Sequence, residues 1–325
     1  RFTAKTLGPM RPSLPNTCRL LALLLAWAAA WQPACTHSGP ETATRPGRPP
    51  LSRPVKVGRI GARAVTESSG IVGSRSHAGV YWTMNDSGDS ARIFALRADG
   101  NLIREVPVQG ARNVDWEDIA AAGRGNLFVG DFGNNAKKRN DLTIYRFAEP
   151  KPQGKRRPAV RAKTRFRYPA GDGPFDCEAL FIRKGWAYLI TKERWQAKLY
   201  RVRLEASGPK PAEAEPLGRL PGAYMVTGAD LSPDGRHLAV LGYGIVWVYD
   251  LPKPLERLQP TTAPATRPDG TRSGEAKWTF PRPRTTRGSL GQSEAICWVL
   301  EEPVEDLLIT NEDSDLFRVG PQKNP

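Results

Sequence analysis

Thr66-Glu67-Ser68-Ser69-Gly70-Ile71 returns along the chain in altered form. The later copies are Val114-Asp115-Trp116-Glu117-Asp118-Ile119, Phe175-Asp176-Cys177-Glu178-Ala179-Leu180, a weaker Thr227-Gly228-Ala229-Asp230-Leu231, and Gln292-Ser293-Glu294-Ala295-Ile296. Each copy sets an acid or small polar residue two places before an aliphatic one, and each leads into a strand-like run. Units about 50 to 65 residues apart are the signature of a propeller or solenoid array.

Working outward from the first copy, Val80-Tyr81-Trp82-Thr83-Met84 reads as a strand. It ends in the turn Asn85-Asp86-Ser87-Gly88-Asp89 and is followed by Ile93–Leu96 and Leu102–Val108. Four strands make one propeller blade. The second unit repeats this with Leu127–Val129, the turn 130–135, Thr143–Phe147 and Lys163–Tyr168; the third has Ala187–Ile190 and Leu199–Val202. The fourth has His237–Leu241 and Ile245–Tyr249, then a polar stretch Gln259–Glu275 ahead of Trp278-Thr279-Phe280. The fifth has Leu307–Ile309 and Leu316–Val319, and lacks a fourth strand. Each third strand carries an aromatic at the same place: Phe94, Tyr145, Tyr200, Trp247 and Phe317.

The chain therefore predicts an all-β fold, a five-bladed β-propeller, with six blades as the alternative. The early strand Lys56–Ala64 is expected to complete the last blade and leave no open sheet edge. The propeller is expected over residues 55–320.

Upstream, Leu20–Trp31 is apolar but too short to span a bilayer as a helix. Arg11 and Arg19 precede it and small residues and Cys35 follow. This is a signal-peptide pattern over residues 1–35, with Cys35 placed as in a bacterial lipoprotein signal. Gln32 departs from that signal, so lipidation and plain secretion both stay open. Residues 36–54 read as a disordered Pro-rich tether. The expected location is outside the cytoplasm, as a periplasmic or cell-envelope lipoprotein or a secreted protein.

The chain of 325 residues carries a net charge of +15, and residues 1–56 hold eight Lys or Arg against one acid. Lys151–Arg167 holds eight basic residues and no acid. No aromatic platform accompanies it, so it reads as a surface loop and outer strand, and nucleic acid is not expected as a partner. Cys177 and Cys297 lie in non-adjacent units and read as two separate buried thiols. His37, His77 and His237 are the only histidines. They supply neither a zinc cluster nor a Ser-His-acid triad.

In a propeller, the loops that enter first strands and leave second strands open on one face. The acids of the repeated phrase therefore converge there: Glu67, Asp115, Glu117, Asp118, Asp176, Glu178, Asp230 and Glu294. From the turns come Asn85, Asp86, Asp131, Asn134, Lys192, Asn311 and Glu312. Strand alternation puts Ser69, Glu117, Glu178 and Glu294 in one ring at the axis, with Ala229 taking that place in the fourth unit. Carboxylates crowded in a channel must take up protons or bind a cation, and hard oxygen ligands in this number suit Ca²⁺. The other reading is that these acids hydrogen-bond backbone amides and hold blades in register, above all Asp118 and Asp230.

Asn85-Asp86-Ser87-Gly88, Asp115-Trp116-Glu117-Asp118-Ile119 and Gly130-Asp131-Phe132-Gly133-Asn134 resemble the motifs of a bacterial family of exported β-propeller proteins without settled function. More loosely, the acid-led units resemble calcium-dependent apyrase-type nucleotidases, which are five-bladed with Ca²⁺ in the channel. That resemblance implies Ser69, Glu117, Glu178 and Glu294 as positional matches to ligands, and Ala229 breaks the pattern. Gluconolactonase and regucalcin-like proteins, which are six-bladed, are similar in holding a divalent cation with Glu, Asn and Asp at the mouth.

Two functions follow. In the first, a monomeric propeller binds a small-molecule, glycan or protein ligand at an acidic, Ca²⁺-holding mouth. Glu67, Asp115, Glu117, Asp176, Glu178 and Glu294 serve the metal, and Asn85, Asn134, Asn311 and Glu312 serve the ligand. In the second, a Ca²⁺-dependent hydrolase acts on a phosphoester, lactone or similar ester. Asp86 or Asp131 is then its base, and Lys192 steadies developing negative charge.

Overall fold

The structure is a computed structural model. It describes residues 48–323 apart from 124, 205–209, 253–254, 256–264, 267–271, 274–279 and 302. The signal-peptide reading of residues 1–35, Cys35 included, lies outside the described residues, as does residue 278. No α-helix occurs among those that are described.

A short strand, β1 (Val55–Arg59), comes first. Blade one is β2 (Ser68–Gly73), β3 (Val80–Asn85), β4 (Arg92–Arg97) and β5 (Leu102–Pro107). Blade two is β6 (Trp116–Ala121), β7 (Asn126–Asp131), β8 (Thr143–Ala148) and β9 (Val160–Arg167). Blade three is β10 (Cys177–Arg183), β11 (Trp186–Thr191), β12 (Lys198–Arg203) and, after the two-residue β13 (Ala212–Glu213) that joins the edge of β9, β14 (Glu215–Arg219). Blade four is β15 (Val226–Leu231), β16 (His237–Gly242), β17 (Ile245–Asp250) and, beyond a ribbon of β18 (Ala265–Thr266) and β19 (Arg272–Ser273), β20 (Arg284–Arg287). Blade five is β21 (Ser293–Trp298), β22 (Leu307–Asn311) and β23 (Asp315–Val319), completed by β1.

Among the described residues five blades make up the ring, and the packing shows why no sixth is needed. The buried apolar side chains fall into five clusters, and each fills the gap between one blade and the next. The cluster of Ile71, Tyr81 and Phe94 with Ala295, Cys297 and Leu308 joins the first blade to the last, so the ring is closed. The five third-strand aromatics are all buried, each at the third residue of its strand: Phe94, Tyr200, Trp247 and Phe317 belong to these clusters, and Tyr145 packs on Trp116, a member of the remaining one. Burying an aromatic of that size stabilises the fold by about 1.5–3 kcal/mol.

Closure is by β1 pairing antiparallel to β23, with Val55 opposite Arg318 and Arg59 opposite Asp315. Lys56 and Asp315 add an ion pair at 2.6 Å. The strand is shorter than the expected Lys56–Ala64, because Ile60 donates its N–H to Ser314 and Gly61 to Gly100, which turns the chain away. Residues 50–52, assigned by composition to the tether, bond to the end of β23. Ser52 N–H donates to Gly320 O at 2.8 Å, and Gln322 N–H to Pro50 O at 2.7 Å.

One expectation is corrected. The last strand of blade four is Arg284–Arg287, not the stretch around Phe280, which is buried against the blade outside any strand. The strand-like pattern there reflected only an aromatic packing on Tyr249. Cys177 and Cys297 are unbonded buried thiols, as expected.

Candidate metal centre at the propeller mouth

All five first strands share one irregularity. The pairing of each with its second strand skips a residue: Ser69, Glu117, Glu178, Thr227 and Glu294. Such a bulge leaves one residue unpaired and re-aims its side chain. This register corrects the fourth unit: Thr227, not Ala229, holds the axial place, and Ala229 packs between blades three and four. Two residues upstream of the bulges stand Glu67, Asp115, Asp176, Met225 and Gln292. One residue beyond each second strand stand Asp86, Phe132, Lys192, Tyr243 and Glu312. Backbone bonds knit these two sets together: Asp86 N–H to Glu67 O, Lys192 N–H to Asp176 O and Glu312 N–H to Gln292 O.

The result is a cavity of about 190 Å³ lined by Glu67, Ser69, Asp86, Glu117, Asn135, Glu178, Lys192, Gln292, Glu294 and Glu312. Blade four contributes no carboxylate to any of the three sets. The acids thus form an arc from blades one, two, three and five, closed by Thr227, Met225 and Tyr243. Two sets of carboxylate oxygens, from Asp86, Asp115 and Glu117 and from Glu117, Asp176 and Glu178, lie within 4.8 Å of one another. Glu117 belongs to both. It is 3% exposed, and among the described residues its carboxylate meets no hydrogen-bond donor or cation.

The motif around β7 builds the wall on which Glu117 rests. Gly130 admits the ring of Phe132, which would lie 2.0 Å from a Cβ there. Gly133 leaves room for the site acids: a Cβ would fall 1.9 Å from Glu117 Oε1 and 2.5 Å from Asp115 Oδ2. Asp131 Oδ1 accepts from Asp115 N–H at 3.0 Å and pairs with Arg139 at 2.9 Å. Asn134 donates its backbone N–H to Asp176 Oδ1 at 3.0 Å, and its own Oδ1 accepts from Lys138 and Arg139 N–H. Every residue of Gly130-Asp131-Phe132-Gly133-Asn134 therefore positions the cluster without lining the cavity.

The polar ends of the second strands act as joints. Asn85 Oδ1 accepts from Thr66 and Glu67 N–H, and its amide donates to Ala64 O and Asp89. Asn311 accepts from Asp315 N–H and donates to Leu290 O. Of the residues expected to meet a ligand, Glu312 lines the cavity, while Asn134 and Asn311 spend their amides on backbone and Asn85 on backbone and the Asp89 carboxylate. Of the residues proposed for catalysis, Asp86 and Lys192 line it and Asp131 does not. Asn135, Gln292, Gly133 and Tyr243 were missed by sequence reasoning. The signal for Tyr243 and Gln292 was their place in the repeat, which the polar residues of the other units obscured.

Burial and mutual repulsion shift the titration of this group. Glu294 is pushed up to about 7, by burial first, and then by Glu312 and Asp86 against the pull of Gln292 and Lys192. Asp115 rises to about 6, through burial and then Asp86. Glu117 lies well above the usual carboxylate range, through burial and then Glu178, Asp86, Asp115 and Asp176. Asp86 is raised by burial as well. Lys192 Nζ lies 2.5 Å from Glu178 Oε1. Burial would lower the ammonium, but Glu178 holds it above its ordinary value; Glu178 itself is raised by burial against the pull of Lys192. At that distance we read the pair as ionised. One ammonium against six lining carboxylates leaves the cavity short of positive charge.

Asp118 and Asp230 do the other job foreseen for the acids. Asp118 Oδ2 accepts from Leu180 N–H at 2.7 Å and Oδ1 from Ile119 N–H at 2.8 Å, tying blade two to blade three. Asp230 Oδ2 accepts from Trp298 N–H at 3.0 Å, tying blade four to five. Asp118→Ala leaves two buried N–H groups without acceptors, and at ~1–3 kcal/mol each it should lower unfolding free energy by about 2–6 kcal/mol. Denaturant unfolding should show this loss while cation affinity stays unchanged.

No family model matches the chain, and no curated protein does. Similar solved structures include a nidogen/laminin complex (12% identity, TM-score 0.41, covering 75% of this chain and 72% of that one). Another is hydrazine synthase of Kuenenia stuttgartiensis (10%, 0.42, 78% and 71%). A third is glutaminyl cyclase of Myxococcus xanthus (13%, 0.45, 83% and 94%). At these identities and scores none of them bears on what this chain does.

Proposed function

We propose that the mouth holds a divalent cation, Ca²⁺, and through it captures an oxygen-bearing ligand outside the cytoplasm. The observation that carries this is Glu117, buried at the meeting point of two carboxylate groups and without a counter-charge. An isolated buried carboxylate is costly, and a bound cation removes the cost. All donors are hard oxygens, as Ca²⁺ and Mg²⁺ require. Their number and their spread over four blades suit the larger, geometrically tolerant Ca²⁺ better than the octahedral Mg²⁺. Glu117, Glu178, Asp115, Asp176 and Asp86 would hold it, with Glu294, Glu67 and Glu312 at the rim.

Trp195, 91% exposed on the turn after β11, and Tyr243, 40% exposed, offer ring surface on the mouth face. This favours a binding role for a small molecule, glycan or protein. An acidic rim repels a phosphate backbone, so nucleic acid is not the ligand. The leader pattern supports export, with the protein tethered through Cys35 or released, and we read it as a monomer. Hydrolysis is the second reading, favoured by Asp86: it lines the cavity next to Asp115 and Glu117, with an affinity for protons raised by burial. The test is metal analysis of purified protein together with melting under Ca²⁺, Mg²⁺ and chelator. Ca²⁺ should raise the melting temperature more than Mg²⁺, and indifference to both would sink the proposal.

A further inference from the structure

We propose a second binding site, for a multiply charged phosphate ligand, at the end of the blades opposite the mouth. The segment between β8 and β9 closes over a hollow of about 900 Å³ lined by Lys151, Lys155, Arg156, Arg157 and Arg161, with Glu149 at its base. A concave site of this volume suits a small ligand. The loop is built, not loose. Arg104 of β5 donates to Lys151 O and Arg156 O, at 3.4 and 3.2 Å. Gln109 N–H donates to Pro158 O and Val160 N–H to Gln109 O, both at 2.9 Å. Thus blade one fixes the loop of blade two, and Pro150, Pro152 and Pro158 stiffen it.

The cations are left uncompensated. Arg92, Arg139, Arg284 and Arg318 all meet carboxylates. Among the described residues, none of the five lining cations does. The one acid in the lining is Glu149: its Oε1 accepts from Trp82 Nε1 at 2.8 Å and from the Ser74 hydroxyl, and its buried Oε2 has no partner, so the lining keeps a surplus of four positive charges. The five cations are exposed, so water and salt screen their mutual repulsion, and an anion seated among them on the pinned backbone relieves what is left. Guanidinium and ammonium groups in this number match phosphate oxygens. The lining holds no aromatic ring, so it lacks the stacking platform that single-stranded nucleic acid requires.

The phosphate could be carried by a soluble molecule or by a lipid headgroup, and one experiment separates them. Metal-stripped full-length protein is titrated with tripolyphosphate, and pelleted with phosphatidylcholine vesicles with and without phosphatidylglycerol. Saturable, salt-sensitive tripolyphosphate binding is expected. The double variant Arg156→Glu, Arg157→Glu should weaken it at least about tenfold, since each charged hydrogen bond lost is worth ~1.5–3 kcal/mol. Arg63→Glu with Arg287→Glu, which reverses as much charge elsewhere, should leave it unchanged, as should Glu117→Gln at the mouth. Co-pelleting that needs phosphatidylglycerol and is displaced by tripolyphosphate assigns the lipid source; tripolyphosphate binding without co-pelleting assigns the soluble one. Absence of saturable binding, equal loss in both double variants while melting is unaltered, or tighter binding of single-stranded RNA with the same number of phosphates would overturn the proposal.

Discussion

Glu117→Gln abolishes the Ca²⁺-induced rise in melting temperature and, without metal, melts higher than the parent protein. Both halves follow from one arrangement. Glu117 is shared by the two carboxylate groups, so neutralising it removes the charge that the two groups have in common. At a hundredfold excess over Kd, a bound cation stabilises by about 2.7 kcal/mol, or about 5–10 °C for a domain of this size, and that increment should vanish. In the metal-free protein the same change removes a buried acid that must either hold a proton or carry a charge that no partner offsets. Gln fits the same volume under Gly133 and ends the repulsion from Glu178, Asp86 and Asp115. Glu178→Gln provides the contrast. It also loses the cation, but it strands the Lys192 ammonium, so metal-free melting should fall. If Glu117→Gln lowers metal-free melting as Glu178→Gln does, Glu117 is a structural acceptor and the metal centre is wrongly placed.

That contrast was half legible in the sequence. The five phrases mark the five first strands, and the acid or small polar residue two places before the aliphatic one is the bulged residue in four of them, Ser69, Glu117, Glu178 and Glu294. The in-register aromatics Phe94, Tyr145, Tyr200, Trp247 and Phe317 fix the blade count, because one large ring fills each gap between blades. The fourth unit misled because Leu231 imitates the aliphatic marker. The residue that packs there is Ala229, which moves the axial position back to Thr227. A bulge has no sequence signature of its own, so only the paired register could settle this. Asn85, Asn134 and Asn311 looked like ligands for a different reason. A polar residue at a turn can serve a ligand or cap backbone N–H groups, and the sequence shows the residue but not the orphan N–H it satisfies. Gly133 was invisible as a site residue because its contribution is the absence of a side chain.

The remaining large effect is on pH. Metal-free protein should become less stable as pH rises from about 5 to about 8, the reverse of the usual trend for carboxylate-rich proteins. Glu294 and Asp115 titrate near 7 and 6 in the folded chain, against about 4.3 and 3.9 unfolded. Between those limits the native state binds more protons than the unfolded one, so the stability they supply is complete below the unfolded values and is lost as pH climbs through the folded ones. Glu117 pushes the same way. Asp250, Asp89 and Asp172 are shifted downward and act oppositely, but their contribution changes only below about pH 4, outside this window. With Asp115 discounted for its half exposure, the loss is about 2–4 kcal/mol, or about 5–10 °C in melting. Asp230, buried between blades and pushed up to about 6, adds a decline that calcium cannot reach. Ca²⁺ should therefore flatten most of the slope but not all of it, because the cation replaces the protons that the mouth would otherwise hold. Calorimetry near pH 6.5 should detect those protons leaving as Ca²⁺ binds, and affinity should strengthen as pH rises. A chelated protein whose melting is flat or rising across the same range would mean that the carboxylates are already ionised and compensated within the fold, leaving no charge for a cation to answer.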